Sequence, residues 1–321
     1  MEWKVVVEEV MTKKSNMAAS DDKVVLTNRI NLPQSDKEVL IITLNRPTKK
    51  NCFNTRLCNE LASLFYNVAN EIQSYDASPI HNDDDDDDDD TDQHQQKQKL
   101  AAVILTGAGK SFCAGADLSA PPNPLHQSSD LPHHLRYNPV YQMDRVGVPI
   151  IAALKGHVIT GGFELALACD ILIGDSTTTF RDTHVKFGLA PCWGLSQKLG
   201  RRIGPGRAKI VSFTAQPVKA AKAHAWGLLD ELVDVKDAKT DAVLDRAIQL
   251  ADDIAKNNPL MVRRYKRAMV EGSRMEYRKG LQRERELGLA HYLEIVGDGS
   301  TFEGAKDYIT DDGRPRMESK L

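Results

Sequence analysis

The chain has 321 residues, of which 41% are hydrophobic and 27% are charged, so it can bury an ample core as one large domain or as one domain with an appendage. Its formal net charge is −3, but residues 83–92 carry nine aspartates and no cation, and the rest of the chain carries +6. A mildly basic body favours a small polyanionic ligand. The sequence lacks the basic stripe with interleaved aromatic residues that favours nucleic-acid binding, and no apolar run is long enough for a membrane span. We therefore expect neither nucleic acid nor membrane as a partner.

Five cysteines are scattered along the chain, at positions 52, 58, 113, 169 and 192. They show neither the even number of a disulfide framework nor the Cys/His spacing of a metal site. Several lie in apolar runs, where a cysteine acts as a small hydrophobic residue. We expect no bound metal and a reducing, intracellular setting.

The first third of the chain predicts an extension, two strands, a helix and an insertion. Residues 1–22 are polar and mixed, which is typical of a loosely ordered extension. Residues 24–26 and 39–44 are apolar and predict strands. Residues 54–72 place leucines and a phenylalanine at helical spacing, which predicts an amphipathic helix. Residues 78–99 are of low complexity and rich in aspartate, which indicates a disordered surface insertion.

The central third holds two strongly apolar segments. Residues 100–106 predict a buried strand, and a possible helix follows near residues 135–145. Residues 148–154 predict a second buried strand, which leads to the glycine pair Gly161 and Gly162, where the backbone can approach a ligand closely. The next residues favour a helix that is buried on every side, yet its first turn carries Glu164. A carboxylate beside the free N–H groups of a helix start can serve as a catalytic base next to an oxyanion hole, or can simply stabilise the helix.

The last third is largely helical. Helices are predicted over residues 194–203 and 207–213, and a helix, a turn and a strand over residues 218–233. Residues 241–256 are amphipathic, and residues 259–272 and 276–296 are helical and strongly charged.

Two motifs in order, SFCAGADL at residues 111–118 and GGFELALACD at residues 161–170, resemble those of the crotonase (enoyl-CoA hydratase/isomerase) family. The likeness runs from about residue 39 to the end of the chain, apart from the aspartate-rich insertion. It implies an α/β fold, a crotonase-like spiral of ββα turns with a C-terminal helical region that assembles trimers or paired trimers. The implied domains are an extension at 1–22, a core at 23–255 that includes the insertion at 78–99, and the helical region at 256–321.

The resemblance also implies an acyl-CoA thioester as substrate, with no separate cofactor. In that family two backbone N–H groups hold the thioester oxygen, and these fall on Ala116 and Gly161, while the first catalytic glutamate falls on Glu164. Other expected contacts with the substrate or its CoA portion are Lys49, Lys50, Ala114, Gly115, Asp117, Gly162 and Trp193.

One departure from the family pattern concerns a second glutamate that hydratases carry after the central strand, because the matching position is His184. With an ordinary pKa of about 6.5, a histidine suits acid–base work near neutral pH. We expect Glu164 and His184 to form the acid–base pair of a trans-2-enoyl-CoA hydratase. Three alternatives stay open: His184 is structural, the protein is an enoyl-CoA isomerase that uses Glu164 alone, or it is a non-catalytic CoA- or RNA-binding homologue. Asp182 could orient His184.

The tripeptide Ser319-Lys320-Leu321 matches a peroxisomal address that an import receptor reads at a free C-terminus. Together with acyl-CoA chemistry it predicts the peroxisomal matrix as the location and β-oxidation of fatty acids or related acyl-CoA esters as the role.

Overall fold

The computed structural model describes residues 23–76, 99–119, 135–235 and 241–298. The predicted extension at 1–22, the insertion at 78–99 apart from Lys99, and the tripeptide Ser319-Lys320-Leu321 lie outside the described residues.

Nine strands within these ranges form two sheets. They are β1 (Val25–Asn31), β2 (Glu38–Leu44), β3 (Leu100–Gly107), β4 (Ile150–Leu154), β5 (His157–Ile159), β6 (Ile171–Asp175), β7 (Thr179–Arg181), β8 (Val218–Lys219) and β9 (Glu231–Val233). The larger sheet has the order β1-β2-β3-β4-β6-β9, and β1 alone is antiparallel to its neighbour. The smaller sheet has the order β5-β7-β8, in which β5 and β7 run parallel.

The described part of the chain contains ten α-helices. They are α1 (Thr55–Asp76), α2 (Pro139–Met143), α3 (Gly161–Leu167), α4 (His184–Phe187), α5 (Leu195–Ile203), α6 (Pro205–Thr214), α7 (Ala220–Ala225), α8 (Ala242–Ala255), α9 (Pro259–Gly272) and α10 (Tyr277–Asp298). The helix that the sequence predicts near residues 135–145 is interrupted at residues 137–138. Asn138 caps α2 by accepting from the N–H of Tyr141, and Pro139, which lacks an N–H, occupies the first helical position.

The larger sheet is apolar on both faces. Along β2, Leu40 and Ile42 belong to one core cluster with residues of α1, whereas Val39 and Ile41 belong to a second cluster with residues of α8. A parallel sheet covered by helices on both sides needs apolar residues at successive positions rather than at alternate ones. This requirement explains the continuous apolar runs in the sequence.

From β4 to β7, successive strands alternate between the two sheets. β4 lies in the larger sheet, β5 in the smaller, and α3 follows; β6 and β7 repeat the pattern, and α4 follows. The chain thus winds in ββα turns, and the predicted α/β spiral is confirmed. Each turn adds one strand to each sheet. The second strands of the two turns, β5 and β7, pair in parallel, so the residues that follow β5 lie beside those that follow β7.

The chain divides into two compact units, residues 1–263 and 264–321. Helix α9 crosses the division, which lies eight residues after the predicted boundary at 255/256. Within the described part of the second unit, Glu271 accepts hydrogen bonds from Arg267 at 2.8 Å and Arg283 at 2.6 Å, which joins the end of α9 to α10. Assembly into trimers stays a prediction. Among the residues described, the structure contains no helix with the length and apolar character that crossing a bilayer requires.

Candidate active site

Three chain segments meet at one end of the smaller sheet: residues 113–117, 158–164 and 180–184. Val158 pairs with Cys113 in an isolated parallel bridge and with Phe180 in the sheet. Because these pairs fix the register, the residues that follow them are also neighbours. The sheet therefore brings together the two predicted N–H donors, Ala116 and Gly161, and the predicted acid–base residues.

The local backbone sets the directions of the two predicted N–H donors, Ala116 and Gly161. Phe53 donates its N–H to the carbonyl of Gly115 and accepts the N–H of Asp117, both at 2.9 Å, so the N–H of Ala116 points away from Phe53. Gly115 has a φ of +95°, and a Cβ added there would lie 3.8 Å from the nitrogen of Gly161. Gly161 starts α3, where the first N–H groups have no partner within the helix.

The glycine pair at the start of α3 allows close packing inside the protein. A Cβ on Gly161 would lie 2.4 Å from the ring of Phe53, and a Cβ on Gly162 would lie 2.2 Å from the carbonyl oxygen of Cys113. The sequence predicts close approach of a ligand at these glycines. The structure shows that protein atoms already approach both of them.

Glu164 is 2% exposed, and its carboxylate is held by backbone donors. Its Oε1 accepts the N–H of Trp193 at 2.9 Å and the N–H of Leu195 at 3.2 Å. Burial raises the pKa of Glu164 above its ordinary value, although these two N–H groups and the charge of His184 oppose the increase. Oε1 accepts both of these hydrogen bonds. The other carboxylate oxygen, Oε2, lies 3.8 Å from Nε2 of His184, the second predicted acid–base residue.

His184 is the first residue of α4 and is 4% exposed. Its Nδ1 lies 2.7 Å from Oδ1 of Asp182, which also accepts the N–H of His184 at 3.1 Å. Burial would lower the pKa of His184, but the hydrogen bond to Asp182 and the charges of Glu164 and Asp182 raise it above its ordinary value.

Asp182 is ionised when it accepts these bonds. Burial opposes its charge, but hydrogen bonds from His184 and Ser212 outweigh burial and lower the pKa of Asp182. A carboxylate can only accept, so the ring of His184 carries its proton on Nδ1 and turns Nε2 towards Glu164.

Two aromatic rings pack near the start of α3. The ring of Trp193, 4% exposed, packs on the ring of Phe53 with centroids 4.8 Å apart. The backbone N–H of Trp193 binds the carboxylate of Glu164, and the ring of Phe53 lies against Gly161 at the start of α3.

The remaining predicted contacts lie on the loop before α1 and on residues 113–117. Lys49 and Lys50 are exposed, and the carbonyl of Lys50 accepts the N–H of Ala114 at 3.0 Å. Asp117 binds Arg46 at 2.8 Å, and hydrogen bonds from Ser119 and Arg46 lower its pKa to about 2. Within the described ranges, no group of three or more His, Cys, Asp or Glu residues could hold a metal ion.

The sequence of the chain matches a known protein family and several of its members. The family described as enoyl-CoA hydratase/isomerase matches residues 91–301. A relative from Arabidopsis thaliana, named probable enoyl-CoA hydratase 1, peroxisomal, is 34% identical over 300 residues, which cover 94% of this chain and 100% of the relative. The chain belongs to the enoyl-CoA hydratase/isomerase family. The resemblance inferred from the two motifs is thereby confirmed.

Two further members of the enoyl-CoA hydratase/isomerase family cover most of the chain. The short-chain-enoyl-CoA hydratase of Clostridium acetobutylicum is 30% identical over 279 residues, which cover 86% of this chain and 92% of the relative. The crystal structure of an enoyl-CoA hydratase from Bacillus anthracis has a TM-score of 0.68 and 26% identity, and the match covers 93% of this chain and 100% of that one.

Sequence reasoning gives no role to Phe53 or Thr183, although both contact the site. Phe53 bridges Ala116 and covers Gly161, and the hydroxyl of Thr183 contacts that of Thr160. A phenylalanine before a helix and a threonine before a histidine are common in any sequence. The bridge between Phe53 and Ala116 and the register of the smaller sheet reveal their positions.

Proposed function

We propose that the protein is an enoyl-CoA hydratase, which adds water across the 2,3-double bond of a trans-2-enoyl-CoA. Membership of the family supports an acyl-CoA thioester as the substrate, and relatives from Arabidopsis and Clostridium are named enoyl-CoA hydratases. The observation that carries the proposal is the buried pair of Glu164 and His184, whose Oε2 and Nε2 atoms are 3.8 Å apart. That separation exceeds a hydrogen bond, yet both atoms can contact one small group between them.

The two groups would divide the proton transfers according to their ionisation. The form of the site that can react has a charged Glu164 carboxylate and a protonated His184 imidazole. Glu164 would then take a proton from the water that attacks C3, and His184 would give its Nε2 proton to C2. The hydroxyl ends on C3 and one hydrogen on C2, so the product is a 3-hydroxyacyl-CoA.

The negative charge that develops on the thioester oxygen would be stabilised by the N–H groups of Ala116 and Gly161. Preorganised donors in a site that excludes water stabilise such a charge more strongly than water does. Burial of Glu164 and His184 supports a site of this kind.

The CoA portion would lie along the loop that carries Lys49 and Lys50. Both lysines are exposed, and the bond from Ala114 to the carbonyl of Lys50 holds this loop beside the N–H donors. Exposed ammonium groups can pair with the phosphates of CoA.

The second candidate is an enoyl-CoA isomerase, which would move a double bond from C3–C4 to C2–C3 with Glu164 as the sole base. The position of Glu164 beside the N–H of Gly161 favours it, because one carboxylate and an oxyanion hole are sufficient for that reaction.

One experiment distinguishes the two candidates. Purified full-length protein is mixed with a trans-2-enoyl-CoA or with a trans-3-enoyl-CoA, and the products are resolved by mass and chromatography. The hydratase proposal requires that the 2-enoyl substrate gain one water. Migration of the double bond without a change in mass would establish the isomerase, and no reaction with either substrate would overturn both.

We propose in addition that the protein acts in the peroxisome, in the β-oxidation of fatty acids or related acyl-CoA esters. The tripeptide Ser319-Lys320-Leu321 and the word peroxisomal in the name of the Arabidopsis relative support this location. A fluorescent protein fused before Met1 should co-localise with a peroxisomal marker. If deletion of the tripeptide leaves that distribution unchanged, the tripeptide does not direct the protein to the peroxisome.

A further inference from the structure

Thr160, the residue immediately before α3, has a backbone conformation that side chains rarely adopt. Its φ is +50° and its ψ is −110°. Glycine reaches positive φ freely, but a β-branched residue crowds its own backbone there, so the surrounding structure must hold it in place.

Three hydrogen bonds hold Thr160 to the segment before His184. The hydroxyls of Thr160 and Thr183 form a short hydrogen bond with each other. The N–H of Thr183 donates to Oγ1 of Thr160 at 3.1 Å, and the N–H of Thr160 donates to the carbonyl of Arg181 at 2.9 Å. The side chain of Thr160 therefore supplies two bonds that a glycine at this position could not make.

These bonds join the two halves of the candidate active site. Thr160 is adjacent in sequence to Gly161, and its carbonyl accepts the N–H of Glu164 at 2.9 Å. Thr183 is adjacent to His184. The link therefore runs from the helix that carries the N–H donor and the carboxylate to the turn that carries the imidazole, and the atoms of Glu164 and His184 that face each other are 3.8 Å apart.

We propose that the Thr160–Thr183 pair is a positioning element, which holds His184 at a fixed distance from Glu164 and from the N–H of Gly161. This inference rests on the proposed function of that site. Strained backbone conformations cluster at active sites, and they persist only where contacts with the surrounding structure hold them. A displacement of about 1 Å in such a site can lower a rate by up to about 100-fold.

Four single variants test the pair. Thr160→Gly keeps the backbone conformation without strain and removes the hydroxyl, whereas Thr160→Ser keeps the hydroxyl. Thr183→Val removes the other hydroxyl with little change in shape, and Thr183→Ser is its matched control. Thermal unfolding of each variant establishes that it is folded.

The first readout is hydration of a trans-2-enoyl-CoA. We expect kcat to fall about tenfold or more in Thr160→Gly and Thr183→Val with little change in KM, because positioning affects the transition state more than binding. Both serine variants should keep most of the activity. The double variant Thr160→Gly/Thr183→Val should be no slower than the slower single variant, since both changes break the same link.

The second readout does not need turnover: the titration of His184, followed by NMR. When the link is lost, His184 is held less firmly near Glu164, and its pKa should fall towards its ordinary value in Thr160→Gly but not in Thr160→Ser. Both Glu164 and Asp182 face the imidazole and contribute to its pKa.

The two readouts separate the possible failures. If the wild type hydrates no enoyl-CoA, the proposed function is wrong, and the His184 titration alone decides whether the pair positions that residue. If Thr160→Gly is folded and keeps both the wild-type kcat and the wild-type His184 titration, the positioning role is wrong and the threonine pair only stabilises the fold.

Discussion

The hydrogen bond between Asp182 and His184 makes a quantitative prediction for the substitution Asp182→Asn. The carboxylate lies 2.7 Å from Nδ1 and is 2% exposed, so it stabilises the protonated imidazole in a site with little water. A hydrogen bond to a charged group contributes about 1.5–3 kcal/mol, and about 1.4 kcal/mol corresponds to one pH unit in a pKa. Replacing the carboxylate by a neutral amide should therefore lower the pKa of His184 by about 1–2 pH units.

The sign of the effect on activity follows from the role of His184 as the proton donor. Activity requires protonated His184, so it is lost as the pH rises through the pKa of His184. In Asp182→Asn the alkaline limb of the kcat/KM profile should move to lower pH by about 1–2 units. The acid limb, which reports the ionisation of Glu164, should move much less.

The assay is the initial rate of hydration of a trans-2-enoyl-CoA, measured across the pH range at low substrate concentration. Asp252→Asn is a matched control, because Asp252 is 1% exposed and accepts the N–H of Gln34 but lies on α8, on the opposite face of the larger sheet. The control should change stability without moving either limb. A folded Asp182→Asn enzyme with the wild-type alkaline limb would refute the assignment of His184 as the acid held by Asp182.

Three further substitutions test separate parts of the site. Glu164→Gln should lower kcat at least about 100-fold while binding of a 3-hydroxyacyl-CoA by calorimetry persists, and retained turnover would exclude Glu164 as the base. His184→Gln should lower hydration by a similar factor and remove the alkaline limb from the residual pH profile, and a normal rate would make His184 structural. Gly162→Ala should reduce the free energy of unfolding in urea by about 1–3 kcal/mol, because the added methyl group would lie 2.2 Å from the carbonyl oxygen of Cys113. Gly206→Ala, where the methyl group meets nothing within 4 Å, should show no such loss.

The local sequence pattern predicts the frame of this site well. A buried strand, a glycine pair and an apolar helix with one charge in its first turn are all visible between residues 148 and 170. The structure has β4 and a fully buried α3 there, with Glu164 inside it. These features depend on neighbours within a few residues, and the chain itself specifies such neighbours.

The contacts that set the properties of the site residues form between segments far apart in the sequence, and the sequence alone does not show them. Glu164 receives its donors from Trp193 and Leu195, 29 and 31 residues away. Thr160 meets Thr183 only because β5 and β7 pair in parallel with one particular register. Nothing in the sequence marks Thr160 as a residue with positive φ, since glycine is the residue expected there.

The most direct test of the account is hydration of a trans-2-enoyl-CoA in water enriched in oxygen-18, with wild-type protein compared with Glu164→Gln and His184→Gln. The wild-type product should gain one labelled water, with the heavy oxygen on C3, and both variants should form it at least about 100-fold more slowly. A wild-type product without the label, or labelled product formed at the wild-type rate by either variant, would contradict the claim that Glu164 and His184 together hydrate the substrate.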